Sequence, residues 1–281
     1  MKKGIAFYFG FHLKPEESAK MIKEAGFDYV ITNADKTFDK QNGTIRKQMK
    51  LFKKYGLKVS SLHMRYKTED LHYFWEEGKE GEKLVKNLIK DIKVAHHYGF
   101  SCVVVHLFGE YSEIGEKRLR YVLDKAQQYN VPLAIENIDC PPLFKEVFEK
   151  IKHPYMKFCY DSGHNHVFDP DCNYLNLYGD KLVALHLHDN MGDNDSHTVS
   201  KYGNINWSEI ANGLKDKDIV LDYEMLLVKK SDLTPEECLK ETMQMANDLE
   251  KMIEEIKEKE SKKLAVKKLN KKMQDDIVLK N

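Results

Sequence analysis

The sequence has no surplus of either charge: lysine plus arginine and aspartate plus glutamate each number 45 in 281 residues, a formal net charge of zero. Domains that bind nucleic acid usually carry a basic excess, so this balance counts against nucleic acid as a partner. Long apolar runs are missing as well. Nothing approaches the ~20 residues of a membrane-spanning helix, and no membrane partner is expected. The apolar run at residues 4–9 comes after two lysines, but it is short, soon meets His12 and lacks a small-residue cleavage site. It reads as a first core strand rather than a signal peptide. The five cysteines, Cys102, Cys140, Cys159, Cys172 and Cys238, are odd in number and form no Cys-x-x-Cys pair, which fits a reduced, cytoplasmic setting. No Gly-x-Gly-x-x-Gly turn comes after the first strand, which counts against an open dinucleotide-binding sheet.

What is present is 42% hydrophobic residues, enough for a substantial core, arranged in a regular alternation. Short strand-like runs occupy residues 4–9, 29–33, 59–64, 102–107, 132–138, 157–161, 183–189 and 219–225. Amphipathic helical stretches lie between them, including 15–25, 43–55, 82–98 and 116–129. Several end in turn chemistry, at Gly26, Gly56, Gly99 and Asn130, shortly before the next strand. Eight strand-then-helix units predict an α/β protein of the (β/α)8 TIM-barrel class, and about 250 residues is its usual size. From about Ala246 the chain is rich in lysine and glutamate without glycine or proline. Residues 1–255 are therefore expected to form the barrel and 256–281 a charged, amphipathic helical extension. A basic amphipathic tail can bind a membrane surface or nucleic acid. Packing on the barrel or on a sister subunit is the plainer expectation, giving a homo-oligomer through the C-terminal helix.

Successive strands in the second half end in carboxylates and imidazoles. Glu136, Asp161, His164, His186, His188, Glu224 and, further upstream, His63 and His106 fall where apolar sequence gives way to polar sequence. Barrel active sites lie at this end of the strands. Glu136 and Glu224 sit in apolar surroundings, where an unpaired carboxylate is expensive to bury and a bound cation removes the cost. The set predicts one site, assembled from many strands, for a hard or borderline divalent metal. His63 and His106 would each pass alone for a core histidine, but in this company they read as metal or substrate ligands. His188 is open to two readings, an inward ligand beside His186 or a hydrogen-bonding partner of Asp189. Trp207 reads as a structural residue opening a helix, while Arg65 and Lys201 are the nearest candidate phosphate clamps.

Taken in order, the elements Glu136-Asn137, Tyr160-Asp161-Ser162-Gly163-His164-Asn165, Leu185-His186-Leu187-His188-Asp189-Asn190, Asp195-Ser196-His197 leading to Gly203-Asn204-Ile205-Asn206-Trp207, and Tyr223-Glu224 resemble the xylose-isomerase-like TIM-barrel superfamily. The resemblance covers residues 1–255. That superfamily includes sugar and sugar-phosphate isomerases and epimerases together with abasic-site endonucleases. By resemblance, Glu136, Asp161, His186 and Glu224 form a four-ligand site for Mn²⁺, Mg²⁺, Co²⁺ or Zn²⁺. Glu136 and Glu224 then exchange protons with a small polyhydroxy carbonyl substrate through an enediolate. His164 and His188, with His63 and His106, would hold substrate hydroxyls. The expected function is thus a metal-dependent isomerase or epimerase of a small sugar or sugar phosphate.

The runner-up is a polynuclear-zinc phosphodiester hydrolase, because the nine ligands of the endonuclease branch all have counterparts: His63, His106, Glu136, Asp161, His164, His186, Asp195, His197 and Glu224. Two departures bear on the choice. Ser196 stands where the endonuclease motif has arginine, and residues 189–195 lack the arginine that ketose epimerases carry after the metal-binding histidine. A non-catalytic relative that keeps the metal is the third reading.

Overall fold

The computed structural model describes residues 1–34, 42–65, 67–226 and 232–278. Its eight strands are β1 (Lys3–Ala6), β2 (Tyr29–Asn33), β3 (Lys58–His63), β4 (Val103–Val105), β5 (Leu133–Glu136), β6 (Met156–Asp161), β7 (Leu182–His186) and β8 (Leu221–Tyr223). The helices are α1 (Pro15–Glu24), α2 (Ile45–Tyr55), α3 (Lys79–Tyr98), α4 (Glu113–Gln128), α5 (Pro141–Lys150), α6 (Ser162–Phe168), α7 (Tyr174–Tyr178), α8 (Trp207–Leu214) and α9 (Pro235–Val278). Two 3₁₀ segments, Thr68–Trp75 and Ser200–Tyr202, lie in the connections.

All strand pairs are parallel, in the order β7-β6-β5-β4-β3-β2-β1-β8. The join between β7 and β8 differs from the others. It lies beyond the named strands, where the Leu187 amide donates to Asp222 O at 2.8 Å and the Glu224 amide to Leu187 O at 3.0 Å. This is the (β/α)8 barrel that the alternation predicts.

The strands are shorter than their apolar runs. Phe7 and Phe9 are 1% exposed although β1 stops at Ala6: the Phe7 amide still donates to Ile31 O at 2.9 Å, its ring packs edge-on against Phe52 of α2, and Phe9 packs on Phe11. Apolar pattern reports burial, and burial here extends past the end of the strand. The main core lies between the sheet and its helices, with Ile5, Val103, Val105, Leu133, Ile135, Phe158, Leu185, Leu221 and Tyr223 facing outward onto them. The opposite face fills the barrel with small side chains: Cys102, Val104, Ala134, Cys159 and Ala184 form a separate cluster. Gly56 and Gly99 end α2 and α3 in left-handed conformation, with φ of 69° and 72°, where a Cβ would be strained.

α9 runs unbroken through residues 255 and 256. Cys238, Leu239, Met245, Ala246, Leu249 and Ile253 are buried, whereas every residue from Lys257 to Lys268 is exposed. Among the described residues, no helix is long and apolar enough to cross a membrane.

Inside the barrel a Cβ on Gly4 would stand 1.9 Å from Asp222 Oδ1 and 3.0 Å from Tyr29 Cβ. Gly4→Ala is therefore expected to cost about 1–3 kcal/mol by overpacking, read as a lower denaturant midpoint with unchanged slope. An unchanged midpoint would show that β1 and β8 can part at no cost.

Candidate metal centre

β3 ends on His63, β5 on Glu136, β6 on Asp161 and β7 on His186, while His106 comes directly after β4 and Glu224 directly after β8. Neighbouring strand ends in a barrel lie side by side, so one C-terminal residue from each is enough to build a ring. His164 returns to that ring by a helix turn. Asp161 caps α6, its Oδ1 accepting from the His164 amide at 2.6 Å, and this puts the imidazole Nδ1 3.6 Å from the same oxygen.

The side chains converge as two overlapping groups and a third beside them. In the first, His63 Nε2 lies 3.1 Å from His106 Nε2, and His106 Nε2 lies 3.0 Å from Glu136 Oε2. In the second, His186 Nδ1 lies 3.0 Å from Glu136 Oε2 and 3.6 Å from Glu224 Oε2, with Asp161 alongside. In the third, Asp195 Oδ2 is 3.2 Å from His164 Nε2 and 2.9 Å from His197 Nε2. One ligand atom each from His63, Glu136 and His186, from Glu136, Asp161, His186 and Glu224, and from His164, Asp195 and His197 falls within 4.8 Å of its partners. Donors about 2.1 Å from a shared ion stand up to about 4.2 Å apart, so small side-chain movements suffice.

The tautomers point the same way. A backbone carbonyl can only accept, so an imidazole bonded to one carries its proton on that nitrogen. His63 Nδ1 donates to Met64 O at 3.1 Å, His164 Nδ1 to Asn137 O at 3.1 Å and His197 Nδ1 to Glu224 O at 2.8 Å. Each neutral ring then turns an Nε2 lone pair into the centre, the orientation that outer hydrogen bonds impose on metal ligands. His197 holds this pose with φ of 45°, uncommon outside glycine. His186 is fully buried, and neither of its ring nitrogens makes an aligned hydrogen bond. Without a metal these inward nitrogens can be satisfied as protonated donors to the neighbouring carboxylates, as His164 and His197 are toward Asp195; once deprotonated, their lone pairs suit a cation.

Sequence reasoning missed the residues that fix this arrangement. Asn137 bridges β5 to β6, donating to Asp161 O at 2.9 Å and accepting from the Asp161 amide at 2.8 Å. Ser162 Oγ accepts from the His188 amide at 2.9 Å and donates to His188 O at 2.7 Å. Their position beside a ligand was the only available signal. Asp189 is not the partner of His188. It accepts from Trp207 Nε1 at 2.6 Å and from the Ile205 amide at 3.0 Å, tying the helix-opening Trp207 to the loop that carries Asp195 and His197. His188 instead meets Asp161 at 3.1 Å and stacks on His197 with ring centroids 3.8 Å apart. Gly163 makes that approach possible, since a Cβ there would lie 1.9 Å from His188 Cε1. The two cations considered as phosphate clamps are engaged elsewhere: Arg65 Nε binds Asp91 at 2.7 Å and Lys201 lies 3.5 Å from Glu241.

Electrostatics arise from the crowding. Burial raises the carboxyls of Glu136 and Asp161, but the surrounding imidazoles outweigh it, and both are held below the usual range, Glu136 well below. His106, where burial dominates, is lowered. Burial also opposes protonation of His197, yet its hydrogen bond to Asp195 and the charges of Glu224 and Asp195 push it up to about 9.

This is a barrel whose C-terminal mouth gathers three groups of residues that could hold a metal ion. Comparison with known proteins agrees on the class: residues 19–252 match the model of the xylose isomerase-like TIM barrel family, and the chain belongs to that family. An uncharacterised protein of Sinorhizobium fredii is 23% identical over 239 residues, 70% of this chain and 76% of its own. A D-tagatose 3-epimerase-like protein superposes with a TM-score of 0.74 at 20% identity, covering 92% of this chain and 99% of that one. The IOLI protein with a zinc atom bound superposes with a TM-score of 0.72 at 18% identity, covering 89% and 98%.

The raised pKa of His197 gives a signed prediction. Without metal, its pairing stabilises the fold fully below about pH 6.5, the ordinary histidine value. That contribution is lost as pH rises to about 9. A metal ligand must be deprotonated, so stabilisation by added Zn²⁺ or Mn²⁺ should grow over the same interval. Thermal melts of chelated and metal-supplemented protein across this range check both slopes. Parallel curves would exclude a ligand role for this cluster.

Proposed function

We propose that this protein is a divalent-metal-dependent isomerase or epimerase of a small sugar, sugar phosphate or other polyhydroxy carbonyl compound. The observation that carries the reading is the pair of carboxylates, Glu136 and Glu224, both within ligand distance of the buried His186. Glu136, Asp161, His186 and Glu224 would hold the ion. Three oxygen ligands and one imidazole suit Mn²⁺, Mg²⁺, Co²⁺ or Zn²⁺ alike. A divalent cation there supplies polarisation of a carbonyl and an adjacent hydroxyl, lowering the cost of negative charge on their oxygens.

The protein's own groups do the proton work. One of the two carboxylates takes the proton from the carbon beside the carbonyl, breaking C–H and forming O–H, with the electron pair moving into an enediolate. The other carboxyl returns a proton. Return to the same carbon from the opposite face inverts it, and return to the neighbouring carbon exchanges aldose for ketose. His188 and His164 border this position and can hold substrate hydroxyls. The similarity to an epimerase-like barrel supports the reaction class.

One observation favours a second reading. All nine ligand positions of the endonuclease branch lie in these three neighbouring groups, so several cations could activate water and stabilise a leaving oxygen in phosphodiester hydrolysis. Ser196 in place of the arginine of that motif stands against it.

Two measurements separate these. Metal-supplemented protein given a panel of aldoses and ketoses in deuterated water should incorporate deuterium at the carbon beside the carbonyl. Glu224→Gln should lower that exchange at least 1,000-fold while leaving the thermal melt of chelated protein within a few degrees. Incision of abasic DNA without any sugar exchange would replace the first reading with the second.

A further inference from the structure

α9 is a helix of opposed charge. Its first half, residues 235–256, carries seven acidic residues and two lysines, whereas residues 257–272 carry eight lysines and two glutamates. Eight of the 45 basic and two of the 45 acidic residues therefore lie in the second stretch. It holds six net positive charges, and the rest of the chain six negative ones. The neutral total conceals a segregation.

The basic half projects from the barrel. Lys3, at the start of β1, binds Asn247 at 2.8 Å and Glu250 at 2.6 Å, so that part of α9 lies level with the strand starts. From there the helix continues past the face opposite the metal centre. At 1.5 Å per residue, residues 257–278 extend about 33 Å. Lys215 pairs with Glu260 near the base, and Leu264 and Val266 are more than half exposed beyond it. Alongside the acidic half runs a groove of ≈ 400 Å³ between α1 and α9, lined by Met21, Glu24, Leu239, Met243, Gln244 and Asn247.

We infer that α9 pairs with α9 of a second copy of this chain, each basic arm lying antiparallel in the α1–α9 groove of the other copy. Charge complementarity selects this occupant, because reversing one helix against its copy sets each basic half on an acidic half. Met243, Asn247, Glu250, Glu254, Lys257, Ser261 and Leu264 lie along one stripe of the helix, polar except at its two ends. Antiparallel pairing centred on Glu254 places Glu250 opposite Lys257, Asn247 opposite Ser261 and Met243 opposite Leu264. Glu254 meets its own copy at the axis between Lys251 and Lys257, and Lys240 faces Lys268, so the contact is electrostatic with one apolar layer per arm. Two strips of roughly 33 by 10 Å bury on the order of 1,300 Å² in all, within the range of specific interfaces. The arms leave from the end away from the site, so pairing leaves the mouth open to a small substrate. A nucleic acid on the arm would sit at the wrong end for chemistry at the mouth.

Sedimentation velocity of the full chain tests the pairing. A dimer is expected at about 50 mM salt, dissociating toward monomer near 1 M as the charges are screened. The double substitution Lys257→Glu with Leu264→Glu should weaken it at least tenfold without changing the thermal melt of the barrel. Asn247→Cys chains mixed with Ser261→Cys chains should form a disulfide-linked dimer on oxidation, and neither alone should. A monomer at low salt would overturn the inference. So would a dimer indifferent to both substitutions, or a monomeric chain that shifts only with duplex DNA or anionic vesicles.

Discussion

A carboxylate with nothing opposite it cannot stay ionised inside a protein, and this barrel gathers several at one end. Glu136 and Asp161 are at most 1% exposed, and the imidazoles beside them turn unshared electron pairs inward. Each such group costs several kcal/mol to desolvate. Protons can offset that, and they do so in the raised histidines, but a proton satisfies one pair of atoms at a time. A divalent ion satisfies four at once. The candidate ligand groups at the mouth of the barrel are arranged so that a divalent ion could exploit that difference.

The rest of the fold holds the ligands at that spacing. Asn137 and Ser162 act as cross-braces from one strand end to the next, and Asp189 ties the seventh-strand loop to Trp207. These bonds are ordinary ones, worth about 1 kcal/mol each. Their effect is directional, because a ligand set that is loose by an ångström no longer matches the ion. Small side chains beneath the site let the strand ends approach without a bulky layer between them.

Much of this was legible from sequence because two periodicities carry it. Strand and helix alternate, and polar groups recur at the same end of successive strands, so the barrel and a cluster of strand-end carboxylates and imidazoles emerge from pattern. The choice of Glu136, Asp161, His186 and Glu224 as a four-ligand set, and the addition of Asp195 and His197 to the candidates, come from the family resemblance. What pattern could not give was partner choice. His188 has Asp189 as its chain neighbour, yet its bond goes to Asp161 across the barrel. Arg65 is free in the sequence and bound to Asp91 in space. Strand ends were overestimated for a related reason: Phe7 and Phe9 are buried in the core beyond the last residue of β1, so apolar pattern marks their burial and not the strand's end. The helix of opposed charge was hidden by a net charge of zero.

The thin join between β7 and β8 gives the metal centre a mechanical side. Among the described residues those strands are bridged through Leu187 and Tyr223 alone, while every other neighbour in the barrel is paired along a named strand. His186 stands at the end of one of these strands and Glu224 just beyond the other. An ion held by the two would act as a rivet across this seam. Loading and closure would then be one equilibrium, and the amide protons of Leu187 and Glu224 would be the ones whose escape to solvent slows with the rivet in place.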